Sequence, residues 1–227
     1  CDYITGKVIQ EISNAEIERR YGFANLQVHR GDLHNVLLDA IRAIDPAALV
    51  EGRAFADLTQ DGDGVTVHFR DGSSDRGDAV IGADGNASAV RSLLFPGEAT
   101  EFNGQVAYRA LLPKALVPAS IQALQMAMHP APKRYLLLYP LRHGELLNVI
   151  GCGQAADWEE EGWAIPATNA EFAAAYDDFA PQLVDLIATI PDGELFKWGL
   201  RDREPLATWL AGRVAMLGDA AHPMTPF

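Results

Sequence analysis

The order of apolar periodicities along the chain limits its fold more than any single motif does. Segments with helix or buried-strand character at both ends enclose a β-rich stretch from about Gly104 to Gly153. From Asp32 to Ile44 the residues Leu33, Val36, Leu37, Ala40, Ile41 and Ile44 fall on one helical face, with Asp32 placed to cap it. Phe55–Leu58 and Val65–Phe69 read as strands joined by the turn Asp61-Gly62-Asp63-Gly64. A buried strand then ends in Asp84-Gly85 and a helix opens behind it. In the middle stretch, Val106–Leu112, Leu124–Met128, Arg134–Tyr139 and Leu146–Ile150 predict four strands. Thr168-Asn-Ala-Glu171 is a capping box that starts a helix through Phe172, Tyr176 and Phe179, and Pro181 starts another through Leu183, Leu186 and Ile187. Strands return at Phe196–Leu200 and Val214–Leu217, and residues 3–12 read as a short hairpin around Gly6. This interleaving predicts an α/β fold in which the chain visits one ligand-binding domain more than once and inserts a β-sheet domain between visits.

Composition narrows the class. A chain of 227 residues, 48% apolar, has enough material for a sizeable core. Its formal charge is −13, and no cluster of Lys or Arg interrupts that acidity, which argues against nucleic acid or an anionic membrane as partner. Two cysteines, Cys1 and Cys152, are too few for a disulfide framework, and no Cys/His spacing suits zinc. A reducing, cytoplasmic setting without a bound metal is expected. No apolar run approaches the roughly 20 residues needed to span a bilayer, and no leader pattern opens the chain. The chain does not begin with Met and stops just after a Gly/Pro-punctuated segment, so both ends read as cuts.

Three segments carry chemistry. Near the end, a strand runs into Gly218-Asp219, small residues and His222-Pro223. A carboxylate at that edge can accept hydrogen bonds from the hydroxyls of a ribose or ribityl chain, or it can cap the following helix. Asp84-Gly85 stands at a strand-to-helix turn whose N–H groups suit a phosphate, but the Asp84 carboxylate would repel one, and taken alone a plain tight turn is the better account. Arg30 precedes a helix, where it can pair with a phosphate or with a surface carboxylate. Two other patterns are set aside. Asp61-Gly-Asp63-Gly64 lacks the later ligands of a calcium loop, and His222 near Asp219 has no nucleophile elbow to serve.

Taken in order, these segments resemble the para-hydroxybenzoate-hydroxylase-like family of FAD monooxygenases. Val28-His-Arg30-Gly-Asp32-Leu33-His-Asn-Val-Leu37 is similar to the family helix whose Arg approaches FAD. Gly82-Ala-Asp84-Gly85-Asn-Ala-Ser88-Ala-Val-Arg91 is similar to its Asp-Gly motif, and Gly218-Asp219-Ala-Ala-His222-Pro223 to its Gly-Asp motif. Trp198-Gly-Leu-Arg201-Asp-Arg203-Glu-Pro205 also fits the family. The family's opening Gly-x-Gly-x-x-Gly fingerprint is expected upstream of Cys1. Gly151-Cys-Gly153-Gln-Ala-Ala156 matches it superficially but reads as a loop inside the β-rich insertion. Within the family, Phe102 to Leu111 and Lys133 to Leu141 look most similar to salicylate, 3-hydroxybenzoate and 6-hydroxynicotinate hydroxylases.

The resemblance implies a partial FAD/NAD(P)-binding Rossmann-like domain over residues 1–100 and 201–227, with a β-sheet substrate domain at 101–200. It implies FAD contacts for Arg30, Asp84, Gly85, Gly218, Asp219 and Pro226, and a place in the substrate pocket for Phe227. Some members carry His-x-x-x-Tyr in the substrate strand; here the His position is Tyr135, while Tyr139 is retained. Others carry His or Gln eight residues beyond the motif Asp, where this chain has Phe227. Tyr139, Tyr135 or a bound water is then left to handle the phenol proton. The implied reaction uses NADH or NADPH to reduce the flavin, and O2 to form a hydroperoxide that hydroxylates a small phenolic or hydroxy-heteroaromatic acid. Oligomeric state is unreadable. Two alternatives stay open: a related flavoprotein acting on a non-phenolic substrate, and an FAD-binding remnant without activity.

Overall fold

A computed structural model describes the chain except residues 98–99, 123–124, 156–157, 159, 161, 163 and 226–227. The chain groups into two compact units. One comprises residues 1–38 and 104–200, and the other residues 39–103 and 201–227.

The first unit is built on a six-stranded sheet in the order β6-β7-β8-β5-β10-β9. Its strands are β5 (Glu101–Pro113), β6 (Ala127–Ala131), β7 (Arg134–Leu141), β8 (Leu146–Gln154), β9 (Ile165–Pro166) and β10 (Leu195–Asp202). The short helix α4 (Ala119–Gln122) follows β5. Helices α5 (Asn169–Ala175) and α6 (Pro181–Ala188) cover one face. Thr168 caps α5 by accepting from the Glu171 amide, and Pro181 opens α6 at its first turn. Alternation along the strands sends Ala110, Leu112, Leu136, Leu138, Leu147 and Val149 into a core with Phe172, Tyr176, Leu183, Leu186 and Ile187.

In this capping box the Glu171 side chain does not return to its own helix end. Tyr108 Oη and Lys197 Nζ each donate to Glu171 Oε1 at 2.7 Å. Burial raises the Glu171 carboxyl's pKa, but the Lys197 and Tyr108 hydrogen bonds outweigh it and hold the group below its ordinary value of 4.5. A depressed carboxylate adds stability above its unfolded value, and that stability is lost as pH falls through the folded value. Urea titrations of Glu171→Gln and the parent should therefore differ at neutral pH and converge below pH 4.5. A difference that stays constant with pH would remove this pair from the acid limb.

Several expectations need correction. Gly151 to Gln154 form the end of β8, paired with both β5 and β7, and not a loop. The weak strand propensity of glycine is overridden there by packing, because the Gly151 backbone lies directly against Phe172 and Tyr176. The N-terminal segment makes a tight turn, with Gly6 N donating to Asp2 O, but no strands flank it. Helix α1 (Asn14–Tyr21) follows, and it buries no residue. Helix α2 (Arg30–Ile44) starts two residues before Asp32, so Asp32 lies in its first turn and does not cap it. The Asp32 carboxylate instead accepts from Arg142 at 2.6 and 2.8 Å, and that guanidinium holds it below the usual carboxylate range. The apolar stripe of α2 is also exposed, with Val36 at 65% and Leu37 at 55%. The strand read at Leu124–Met128 is β6, displaced toward Ala131, and residue 124 lies outside the described residues.

The second unit holds two three-stranded sheets. Strands β1 (Phe55–Gln60), β2 (Val65–Phe69) and β3 (Ser74–Gly77) form an antiparallel meander. The Asp61 turn is a hairpin connection: Asp61 accepts from the Asp63 and Gly64 amides and from Arg76, which holds its carboxyl down at about 2. In the other sheet, β12 (Val214–Met216) lies between β11 (Leu210–Ala211) and β4 (Val80–Gly82), and it pairs with β4 in parallel. Helix α3 (Ala89–Leu94) packs on it through Val90, in one core with Val65, Val214 and Met216. A Cβ at Gly82 would meet Val90 and Met216 at 3.0–3.2 Å, so glycine allows the close packing of α3 on this sheet. Among the described residues no helix is long and apolar enough to cross a membrane.

Candidate active site

The parallel pair β4/β12 sets up the second unit's site. Met216 stands opposite Gly82 in the register, and Leu217 N donates to Gly82 O. Both strands therefore end side by side. Asp84-Gly85 leaves from one carboxyl end and Gly218-Asp219 from the other, the position at which open α/β sheets bind ligands.

The Asp84 carboxylate is fully engaged. It accepts from Ser88 Oγ at 2.5 Å and from the Ala89 and Val90 amides at 2.8 and 3.2 Å. Ser88 Oγ accepts in turn from Arg91 N. The first amides of α3 are thus taken by the protein's own side chains. Gly85 and Gly218 have φ of +78° and +61°, and no heavy atom lies within 4 Å of where their Cβ would stand. Asp219 is exposed and has no hydrogen-bond partner among the described residues. Bare backbone at two turns and a free carboxylate beside them fit a large, hydroxyl-rich cofactor.

Arg91 ties these turns together. It is 1% exposed, and it donates to Ala221 O at 2.8 Å, Ala220 O at 3.3 Å and Glu204 O at 3.1 Å. Arg203 adds a bond to Asn86 O at 2.9 Å. The sequence motif contained Arg91 without revealing this role. Its position beside Val90 and three residues before Leu94, on a mostly apolar helix, is the signal that was available.

In the first unit, Arg30 is the first residue of α2 and is exposed, without a hydrogen-bond partner among the described residues. Tyr135 and Tyr139 lie on the sheet face opposite the helices, because Leu136 and Leu138 take the helix side. Tyr135 stands opposite Cys152 and Tyr139 opposite Asn148. Tyr135 packs with Ala107, Cys152, Trp198 and Leu200. Burial, and then the neighbouring Cys152, push the Tyr135 phenol well above its ordinary value, so at neutral pH it is a hydrogen-bond donor. Arg109 shares this face, and its Nε donates to Asn148 Oδ1 at 3.1 Å. Neither Arg109 nor Asn148 was singled out from the sequence. Asn148 is legible as the one polar residue inside the run Leu146–Ile150. A cavity of about 580 Å³ opens on the other face, lined by Tyr108, Trp158, Glu171, Tyr176 and Lys197, away from both tyrosines. Pro226 and Phe227 lie outside the described residues.

The fold is α/β, and its structural relatives are flavoproteins. Klebsiella pneumoniae HpxO complexed with FAD and uric acid superposes with a TM-score of 0.81 at 28% identity, over 99% of this chain and 56% of that one. A salicylate hydroxylase substrate complex gives a TM-score of 0.72 at 29% identity, over 87% and 52%. Residues 13–227 match the family described as FAD binding domain, and the chain belongs to that family. Two of its curated relatives are 34% identical. The 6-hydroxynicotinate 3-monooxygenase of Bordetella bronchiseptica aligns over 91% of this chain and 53% of its own length. The 3-hydroxybenzoate 6-hydroxylase of Polaromonas naphthalenivorans aligns over 100% and 56%. The chain spans about half the length of the curated relatives it matches.

Proposed function

We propose that the protein carrying this chain is an FAD-dependent monooxygenase that hydroxylates a phenolic or hydroxy-heteroaromatic acid with NADH or NADPH and O2. The observation that carries this reading is the pair of acidic turns leaving adjacent parallel strands, held to one another by Arg91, in a member of the FAD binding domain family. In this reading residues 1–100 and 201–227 supply part of the cofactor domain, although 1–38 group with 104–200 in the structure. The β-sheet within 101–200 is the substrate domain, and two free cysteines suit a cytoplasmic setting.

In this reading each site residue has a role. Asp219 accepts hydrogen bonds from ribityl hydroxyls. Gly85 and Gly218 let the cofactor approach bare backbone, and Asp84 keeps the first of these turns rigid. On the family resemblance, Arg30 and Pro226 are assigned to the cofactor and Phe227 to the substrate. The bound flavin supplies the oxygen-activating chemistry. Tyr139 takes or relays the phenol proton of the substrate, with Tyr135 or a bound water as the other groups able to handle it.

The test uses the full-length protein. Flavin absorption bands that shift on adding salicylate or 3-hydroxybenzoate are expected. Tyr139→Phe should lower the yield of hydroxylated product per NAD(P)H by about 10²-fold while FAD affinity stays unchanged. Unchanged coupling in that variant removes Tyr139 from the proton path. A folded protein that takes up no FAD overturns the reading as a whole and favours the remnant.

A further inference from the structure

We infer that Arg109, positioned by Asn148, binds the carboxylate of the aromatic substrate and makes the acid, not the neutral phenol, the preferred ligand. This rests on the monooxygenase reading for the identity of the ligand, and on the following geometry for the site itself.

The sheet face that carries Tyr135 and Tyr139 is rich in donors and poor in acceptors. Asn148 is fully buried in β8, and its only acceptor, Oδ1, is taken by Arg109 Nε. That bond leaves Asn148 Nδ2 buried without a hydrogen-bond partner. Arg109 is half-buried, and no carboxylate or carbonyl among the described residues accepts from its Nη1 or Nη2. A half-buried cation with no counter-charge among the described residues, held in place by a fully buried amide, calls for an anion with several lone pairs.

The register fits an aromatic acid in particular. Arg109 on β5 pairs with Ile150 on β8, and Ile150 pairs with Leu137 on β7, midway between Tyr135 and Tyr139. Two strand spacings, about 10 Å, separate β5 from β7. A ring with a carboxylate at one side and a hydroxyl at the other would lie over Ile150, with its acid toward Arg109 and its hydroxyl toward Tyr139. Asn148 stands opposite Tyr139 on β8, the strand between the two that hold the ends of the ligand. Asn148 is the positioning residue: its bond to Nε fixes the guanidinium plane and leaves the Nη edge free for a two-point grip.

Calorimetry on the full-length holoprotein with 3-hydroxybenzoate and with phenol tests this. The acid should bind at least about tenfold tighter than phenol, as a charge-assisted pair requires. Arg109→Gln should erase that preference and leave phenol binding in place, with a modest fall in melting temperature because the buried Asn148 Oδ1 loses its donor. Asn148→Asp should also erase it, because an internal carboxylate would then neutralise Arg109, and it should raise the melting temperature. Equal affinity for acid and phenol in the parent protein overturns the inference, as does a preference that survives Arg109→Gln. Equal weakening of both ligands in Arg109→Gln would make Arg109 structural, which also overturns it. Failures are separable: hydroxylation with a preference indifferent to Arg109 sinks this inference alone. Arg109-dependent acid binding without hydroxylation of any aromatic sinks the monooxygenase reading alone.

Discussion

Arg91→Leu is expected to lower the stability of the protein by about 3 kcal/mol and to weaken FAD binding by at least about tenfold. Leucine keeps the apolar volume that the arginine stem fills, so the loss isolates the guanidinium. Three backbone carbonyls, those of Glu204, Ala220 and Ala221, would lose their donor. Ala220 and Ala221 are both buried, and an unsatisfied buried acceptor costs about 1–3 kcal/mol. Those carbonyls belong to the turn that presents Asp219, so the same loss should loosen the second acidic turn. Arg91→Lys should recover only a minor part, because a single ammonium cannot reach carbonyls spread over two segments. Urea midpoints and a flavin titration read the two effects separately. A stability change within about 0.5 kcal/mol would remove Arg91 as the tie. A full stability loss with unchanged FAD affinity would separate the turn from the cofactor site.

The site was legible in the sequence where it depends on local backbone, and illegible where it depends on side chains meeting from distant segments. Asp84-Gly85 and Gly218-Asp219 could be read because each is a strand end followed by a turn, and both turns occur in place. That they lie side by side follows from the parallel pairing of β4 with β12, more than 130 positions apart, which no local pattern encodes. Caps behaved the same way. Thr168 and Pro181 start their helices as read, while Asp32 was drawn away from capping by Arg142, 110 residues distant. Periodicity also says that a face needs cover without saying what covers it. Leu33, Val36 and Leu37 keep the helical spacing of a core face, yet they are exposed in a chain that spans about half the length of its relatives. Arg109 and Asn148 sit 39 positions apart, and only the β5–β8 register brings them together.

Gly151→Ala should destabilise the sheet far more than Gly153→Ala, although the two glycines are neighbours on the same face of one strand. A Cβ at Gly151 would stand 2.7 Å from Tyr176 Oη and closer still to Phe172 Cε2. Both are fully buried against the sheet, with Phe172 stacked on Tyr108 at 5.1 Å and meeting Tyr176 edge-on at 4.9 Å. None of these rings can swing clear without opening the core beneath α5, so overpacking of about 1–3 kcal/mol is expected, and more for Gly151→Val. At Gly153 the nearest atom is Arg134 Cβ at 3.2 Å, so β7 and β8 need shift by only a few tenths of an ångström, a milder contact than the one at Gly151. Gly153→Ala should cost under about 1 kcal/mol. Phe172→Leu should lower stability alone, by removing ring contacts, yet reduce the penalty of Gly151→Ala when the two are combined. That coupling separates a steric cause from a backbone one. Glycine here has no positive φ to defend, so a penalty due to chain entropy would add independently of residue 172. Strict additivity in the double variant would therefore refute close backbone approach as the reason that β8 carries glycine at this point.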